Sequence, residues 1–255
     1  MRTKGAIALF LFAHQDDEYA IAPWLRREVE GGATVWCVYL TDGASRTEPA
    51  VRDSESRAVV NALGVPSENV AFLGNDDRIR DGALPTRLEY AHHLLHVWIA
   101  IHGTPASIYM PDWEGGHPDH DALHILGISL VLRHGVAQAW AFSIYNAYRC
   151  RKPFFSSLRL LPGGERRTYV HRLADGWRWA MLCWKYRSQR RTWLGLFPGA
   201  FFTRVVLRRE SIRRCDPLRL AARPHKGPLL YERLFGMSYE QFSELTEPFV
   251  RRYLH

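Results

Sequence analysis

The order of hydrophobic and polar positions divides the first 148 residues into alternating strands and helices. Continuous apolar runs of four to eight residues, such as residues 6–12, are typical of strands that are buried on both faces. Longer amphipathic segments separate these runs. The predicted strands are residues 6–12, 34–40, 69–73, 107–110 and 138–145, and the predicted helices are residues 18–30, 50–63, 86–102 and 119–134. This order predicts an α/β fold: a Rossmann-like, mostly parallel sheet with helices on both faces.

The pattern becomes irregular after Tyr148. Residues 168–173 and 202–207 are predicted strands, residues 175–187 a helix, and residues 238–253 a final helix. Residues 190–201 and 215–236 are expected to be loops that cover a site. The length of 255 residues fits one large domain. We therefore expect a single domain over residues 1–255, with an α/β core at 1–148 and an irregular C-terminal, substrate-covering part at 149–255.

A polar cluster follows the first predicted strand directly. Residues 13–18 read Ala-His-Gln-Asp-Asp-Glu, where the strand ends and a helix begins. The carboxyl end of a parallel strand is where open α/β sheets bind their ligands. His14 and Asp17 are three residues apart across this turn, so both can face one ion, and zinc accepts imidazole nitrogen and carboxylate oxygen. The alternative is that Asp16, Asp17 and Glu18 only favour the helix N-terminus through its dipole.

A second polar cluster occurs in the same context. Residues 107–110 predict a strand, a loop follows, and His117-Pro118-Asp119-His120 opens the next helix. His120 can complete a His-Asp-His zinc site. His117 and Asp119 are candidates for an imidazole–carboxylate pair, in which the carboxylate fixes the imidazole tautomer. The alternative is an ordinary helix N-terminus with proline in its first turn.

With these two clusters, the chain resembles the LmbE-like/PIG-L family of zinc-dependent de-N-acetylases. The family carries Ala-His-Pro-Asp-Asp-Glu after its first strand and a later His-Pro-Asp-His segment; this chain has AHQDDE at 13–18 and HPDH at 117–120. Thr41-Asp42-Gly43 after the second strand is a further match. The similarity covers residues 5–130 closely and the rest of the chain loosely.

The resemblance implies a zinc-dependent deacetylase and roles for eight residues. The implied zinc ligands are His14, Asp17 and His120. Asp16 would be the general base, and His117 would stabilise the oxyanion or protonate the leaving amine, with Asp119 orienting it. Arg52 and Asp81 would contact the substrate.

Two positions depart from the family pattern. Gln15 replaces the usual proline, which loosens a turn but removes no ligand. Gly115 stands two places before His117, where some members have a tyrosine that assists catalysis. If this chain uses such a tyrosine, another segment must supply it.

Composition limits the class of protein. Hydrophobic residues make up 47% of the chain, which is typical of a globular protein, and no stretch approaches the ~20 apolar residues of a membrane span. The apolar run near the N-terminus is too short for a signal peptide, and cleavage after it would remove the candidate ligands. The four cysteines form no Cys-x-x-Cys pair, so we expect reduced thiols in a cytoplasmic protein.

The two halves of the chain differ in charge. Residues 1–125 hold 10 basic and 18 acidic residues (net −8), and residues 126–255 hold 24 and 8 (net +16), which together give +8. The basic half interleaves arginine with aromatic residues. This pattern favours a phosphorylated, nucleotide-linked or lipid-linked sugar substrate, or contact with an anionic membrane surface. A solvated basic face over an aromatic core is the alternative, and no nucleic-acid-binding module is present.

The leading hypothesis is a zinc-dependent amidase that removes an N-acetyl group from an amino sugar or glycoconjugate. Hydrolysis of another amide, such as a thiol conjugate or an acylated natural product, stays open because a fold does not determine a substrate. A non-catalytic sugar-binding protein on the same scaffold is the third hypothesis.

Overall fold

The computed structural model describes residues 5–44, 47–76 and 79–254. The first half of the chain alternates strands and helices as predicted. The strands are β1 (Ile7–Phe12), β2 (Thr34–Tyr39), β3 (Val70–Phe72), β4 (Ser107–Pro111) and β5 (Gln138–Phe142), and the helices are α1 (Ala22–Glu30), α2 (Pro49–Ala62), α3 (Leu73–Asp76), α4 (Leu88–His102) and α5 (Pro118–His134). Only the four-residue α3 was not expected, and a 3-10 turn over Asp17–Ile21 precedes α1.

The second half adds shorter elements. The strands are β6 (Tyr145–Asn146), β7 (Ser156–Ser157), β8 (Arg166–Val170) and β9 (Arg209–Arg214), and the helices are α6 (Leu173–Ala180), α7 (Arg190–Phe201), α8 (Leu230–Leu234) and α9 (Tyr239–Tyr253). Within the described ranges, no helix is long and apolar enough to cross a membrane.

Seven strands form the main sheet in the order β3-β2-β1-β4-β5-β9-β8. The first five are parallel, and β9 runs antiparallel to both β5 and β8. The predicted α/β fold is therefore confirmed. The strand order reverses between β1 and β4, and such a switch point opens a crevice at the carboxyl ends of the strands. The two polar clusters follow these two strands.

The sheet is buried on both faces, as its apolar strands require. In β1, Phe10 and Phe12 pack on one face, and Leu9 and Leu11 pack on the other. Side chains of α1, α2, α6 and α7 cover the first face, and side chains of α4, α5 and α9 cover the second. Because β1 and β4 are central, the segments that follow them are held by a rigid core.

Two predictions for the second half were wrong, and a third was wrong in part, because the expected loop at residues 215–236 contains helix α8. The expected loop at residues 190–201 is helix α7, and the expected strand at 202–207 is a π-helix over Phe202–Val206. Two glycines and Pro198 suggested a loop, but Trp193, Leu196 and Ala200 form a buried helical face, and packing of such a face outweighs local propensity. Strand β9 was not predicted because its sequence is rich in charged residues. The buried Arg213 is tolerated there because it pairs with Asp112 across 3.0 Å, a contact that the local sequence does not show.

Candidate metal centre and active site

The turn after β1 holds the first two candidate ligands. Oδ2 of Asp17 accepts hydrogen bonds from the backbone N–H groups of Ala13 (3.0 Å) and His14 (2.8 Å). Asp17 begins the 3-10 turn, and both ligand candidates are buried. The backbone of the turn therefore fixes the carboxylate of Asp17 beside the imidazole of His14.

The first turn of α5 supplies the third candidate ligand. His117 is the N-cap residue, Pro118 occupies the first helical turn, and His120 projects from that turn. Nε2 of His120 lies 3.0 Å from Oδ1 of Asp17 and 3.2 Å from Nδ1 of His14. The structure therefore brings His14, Asp17 and His120 to one point from segments more than 100 residues apart.

This cluster fits a divalent metal ion. Ligand atoms of a tetrahedral site with bonds of about 2.0–2.1 Å are separated by about 3.3 Å. The corresponding separations here are 3.2 Å between His14 Nδ1 and His120 Nε2, 3.0 Å between His120 Nε2 and Asp17 Oδ1, and 3.8 Å between His14 Nδ1 and Asp17 Oδ2. Two imidazole nitrogens and a carboxylate facing one point are a ligand set that binds a cation.

The carboxylate of Asp119 lies closer to His14 than to His117, the partner predicted from the sequence. Oδ2 of Asp119 lies 3.0 Å from Nε2 of His14 but 3.9 Å from Nδ1 of His117. Asp119 is fully buried and also accepts the N–H groups of Gly82 (2.6 Å) and Leu84 (3.1 Å). These donors hold its carboxylate on the His14 side. A carboxylate on the distal nitrogen of a ligating histidine orients the ring and raises its basicity.

His117 is oriented by the backbone. The N–H of Asp119 donates to Nδ1 of His117 across 3.2 Å. This bond makes Nδ1 an acceptor and leaves Nε2 to carry the proton. Burial, together with the neighbouring charge of His14, lowers the pKa of His117 to about 3. His117 is therefore a neutral imidazole that presents an N–H to the site.

Asp16 combines backbone strain with a perturbed pKa. Its φ of 111° lies in the left-handed region, which an L-residue rarely adopts outside functional sites. Burial raises its pKa to about 7, although the guanidinium of Arg52 opposes this rise. By contrast, the pKa of Asp17 is lowered to about 2, because His120 and His14 outweigh the effect of burial. The two adjacent carboxyls thus differ in protonation behaviour, as expected of a base beside a ligand.

Arg52, predicted to contact substrate, is engaged by the turn itself. Its guanidinium donates to the carbonyl oxygens of Gly43 and Gln15 and lies 3.1 Å from Oδ1 of Asp16. The side chain is buried. These contacts indicate that Arg52 positions the strained turn. The Arg52 side chain also borders a cavity over the site.

Asp81, the other predicted substrate contact, lies between two imidazoles. Its Oδ1 is 3.2 Å from Nε2 of His14 and 3.8 Å from Nε2 of His117. Its pKa is lowered, because the histidines and Arg52 outweigh its burial. Asp81 therefore holds a negative charge beside the candidate metal centre.

A cavity opens over these residues, and the side chains that line it from the second half of the chain were not predicted individually from the sequence. This part of the lining is mostly apolar, with Ser157, Gln189 and Thr192 as its polar members. Its apolar residues are Ile144, Tyr145, Leu158, Trp193, Leu196, Ala200 and Phe235. Tyr145 carries the one usable signal, since it follows β5 at the same sheet edge as the histidines. Nothing in the local sequence marks Leu158.

Tyr145 lines the cavity and is the candidate for the assisting tyrosine that some family members have at the position of Gly115. A Cβ on Gly115 would lie 2.6 Å from the side chain of Leu229, and the φ of Gly115 is +69°, so a tyrosine does not fit there. The ring of Tyr145 lies 5.4 Å from that of His120, and its backbone N–H is held by Glu114 (3.0 Å). Its hydroxyl forms no hydrogen bond among the described residues.

Comparison with known proteins agrees with this geometry. Residues 9–131 match the model of the PIG-L family, described as GlcNAc-PI de-N-acetylase. None of the curated proteins matches the sequence significantly. Two solved structures with the same fold are deacetylases. The zinc-inhibited form of teicoplanin deacetylase Orf2 has a TM-score of 0.60 at 15% identity, covering 82% of this chain and 99% of its own. The A40926 pseudoaglycone deacetylase Dbv21 has a TM-score of 0.59 at 16% identity, covering 83% and 97%.

A third similar structure is also that of a deacetylase. N,N'-diacetylchitobiose deacetylase from Pyrococcus horikoshii has a TM-score of 0.56 at 20% identity, covering 88% of this chain and 87% of its own. At these identities the structural likeness establishes the fold, while the family match covers the segment that carries both histidine clusters. Over residues 9–131, the chain is thus similar to the PIG-L (LmbE-like) family.

Proposed function

We propose that this protein is a zinc-dependent hydrolase that removes an N-acetyl group from an amino sugar or glycoconjugate. One observation carries the proposal: His14 Nδ1, His120 Nε2 and a carboxylate oxygen of Asp17 converge beside Asp16, on the wall of a cavity. The family match over residues 9–131 and the deacetylase activities named for the three similar structures support it.

The proposed ligands and chemistry follow from the donor set. His14, Asp17 and His120 would hold the ion, and two nitrogens with one oxygen suit zinc. When bound, zinc lowers the pKa of water to about 7 and polarises a carbonyl oxygen. Asp119 would steady His14 through its distal nitrogen.

The proposed proton transfers use two further residues. Asp16 accepts the proton of the attacking water and passes it to the leaving nitrogen as the C–N bond breaks, roles that suit a carboxyl whose pKa lies near neutrality. Its strained backbone is held by Arg52, so the base is oriented before substrate arrives. His117 donates its Nε2–H to the oxygen of the tetrahedral intermediate. Because its pKa is low, His117 acts as a neutral hydrogen-bond donor in this scheme.

The proposed substrate binds with its acetamido group at the charged wall and its remaining parts against the apolar wall. Aromatic and aliphatic side chains such as Trp193 and Leu196 suit the apolar face of a sugar or a hydrophobic aglycone. The excess of basic residues in the second half supports a phosphorylated or lipid-linked substrate.

We also propose that residues 1–255 act as one domain in which residues 149–255 cover the site. The contribution of Ser157, Trp193 and Phe235 to the cavity supports this division. A cytoplasmic location is proposed on the four free cysteines, which suit a reducing compartment.

A direct test measures acetate release from N-acetylglucosamine, its phosphates and N,N'-diacetylchitobiose, with zinc supplied and after chelation. The wild type is expected to release acetate from at least one of these substrates, and chelation or His120→Ala is expected to abolish the release. Butanoate release from N-butanoylglucosamine, measured in parallel, separates an acetyl-specific enzyme from a hydrolase of larger amides. Sugar binding without acetate release, in protein loaded with zinc, would instead support a non-catalytic sugar-binding protein.

A further inference from the structure

Helices α6 and α7, with the 3-10 turn over Met181–Lys185 between them, expose a continuous strip of large apolar side chains. The ring of Trp177 lies 5.6 Å from that of Phe201, Phe201 lies 5.5 Å from Phe197, and Phe197 lies 5.3 Å from Trp184. Trp177 is 52% exposed, Trp184 36%, and the neighbouring Leu194 66%, while Phe197 and Phe201 are half-buried between them. These five residues form what we call the aromatic strip. Contiguous apolar surface of this kind marks an interaction site rather than ordinary protein surface.

Basic side chains surround the aromatic strip. Residues 172–206 contain seven basic residues and one acidic residue, Asp175. Of the seven, only Arg204 is buried, and it is paired with Glu210 across 2.6 Å. The other six are exposed and form no ion pair within the part of the chain that the structure describes. They are Arg172, Arg178, Lys185, Arg187, Arg190 and Arg191.

This combination is complementary to an anionic lipid surface. Tryptophan is favoured at the boundary between lipid headgroups and acyl chains, where its ring is buried and its N–H stays near water. Arginine and lysine beside it attract anionic headgroups.

The aromatic strip adjoins the cavity. The other face of α7 presents Trp193, Leu196 and Ala200 to the cavity and the core. Gln189 and Thr192, which line the cavity, flank Arg190 and Arg191 in the sequence. We propose that α6 and α7 form a docking surface for an anionic lipid bilayer, which brings the cavity next to the membrane surface. This inference goes beyond the proposed hydrolysis and does not depend on it.

The test is flotation of the full-length protein with unilamellar vesicles. Vesicles of phosphatidylcholine alone are compared with vesicles that contain one third phosphatidylglycerol. The test variant combines Leu194→Gln with Arg191→Gln. The matched control combines Leu132→Gln with Arg133→Gln, an exposed apolar residue and an exposed cation at the end of α5, on the opposite face of the sheet. None of these four residues lines the cavity, and thermal unfolding confirms that both variants are folded.

The proposal predicts that the wild type and the control float with anionic vesicles and that the test variant binds roughly tenfold more weakly or worse. Raising the salt to 1 M should release the wild type, because the Debye length falls from about 8 to about 3 Å. Failure of the wild type to bind, or equal binding by the test variant, overturns the proposal. Equal binding to neutral vesicles also overturns it. A concentration-dependent dimer that the test variant loses, without vesicle binding, would assign the aromatic strip to a second copy of the chain instead.

Discussion

Asp119 and His14 are joined directly: Oδ2 of Asp119 lies 3.0 Å from Nε2 of His14, on the side of the ring away from Asp17 and His120. The two backbone N–H groups of Gly82 and Leu84 hold the carboxylate in place. Through the Asp119 carboxylate, the segment that carries Asp81 is therefore linked to His14, the histidine that faces the candidate metal. Asp119 is thus a positioning residue for His14, while its backbone N–H orients His117.

The contact predicts the effect of Asp119 on metal affinity. Asp119→Ala should weaken zinc binding roughly tenfold to hundredfold, because His14 loses the carboxylate that orients its ring. Asp119→Asn should be milder, since an amide oxygen can still accept a hydrogen bond. Competition with a chromophoric chelator measures the affinities. Wild-type affinity in Asp119→Ala would show that the contact does not support the site.

Arg52 is expected to affect turnover more than substrate binding. In Arg52→Met the turn loses the donor to Gln15 and the charge beside Asp16, so kcat should fall roughly tenfold to hundredfold while KM changes little. The acidic limb of the pH profile should move to higher pH, because Arg52 lowers the pKa of Asp16.

Steady-state kinetics over pH 5–9 measure both effects of Arg52. Arg57→Met on the same helix is the control, since its guanidinium contacts Ser67 instead of the site. A large rise in KM with an unchanged kcat would contradict this role and would support the substrate contact that the resemblance to the family implies for Arg52.

Ionisation of the buried Asp16 carboxyl is expected to lower the free energy of unfolding as the pH rises. Its pKa of about 7 in the fold exceeds its ordinary value near 3.9, so the unfolded chain loses the proton first and stability falls as pH rises from 4 to 7. In metal-free protein, Asp16→Asn should therefore gain up to roughly 4 kcal/mol more at pH 8 than at pH 4. Turnover should fall roughly 100- to 10,000-fold. Urea unfolding at the two pH values and acetate release measure these effects, and a pH-independent change in stability would contradict the shifted pKa.

Tyr145 is expected to assist the reaction through its hydroxyl. The phenol lines the cavity near Asp16, Asp17 and Asp81, and burial together with these carboxylates keeps its pKa high, so it stays a neutral donor. Tyr145→Phe should lower kcat roughly tenfold or more and leave the zinc content unchanged. Tyr148→Phe, outside this cavity, is the control. Equal kcat for Tyr145→Phe and the wild type would limit Tyr145 to packing.

The sequence could predict the convergence of the candidate ligands for a physical reason. His14 and His120 each follow a central strand of a parallel sheet, and a parallel sheet puts both carboxyl ends at one edge. The partner of Asp119 could not be predicted, because the N–H groups that hold it come from a loop 35 and 37 residues away.

The residues that form the cavity wall were harder to predict from the sequence than the candidate metal ligands. Helix α7 contains glycines and a proline that oppose a helix locally, and only its packing against Tyr19 and the sheet makes it helical. The sequence likewise could not show that a tyrosine is excluded at position 115, because the side chain that fills this space, Leu229, comes from a distant segment.

The measurement that tests the central claim most directly is the zinc content of the purified protein, with His120→Ala beside it. His134→Ala, whose imidazole contacts His96 outside the site, is the control. We predict about one zinc per chain in the wild type and the control and little in His120→Ala, because three protein ligands are needed to hold a catalytic ion. No zinc in the wild type after zinc is supplied, or full zinc in His120→Ala, would contradict the proposed metal centre.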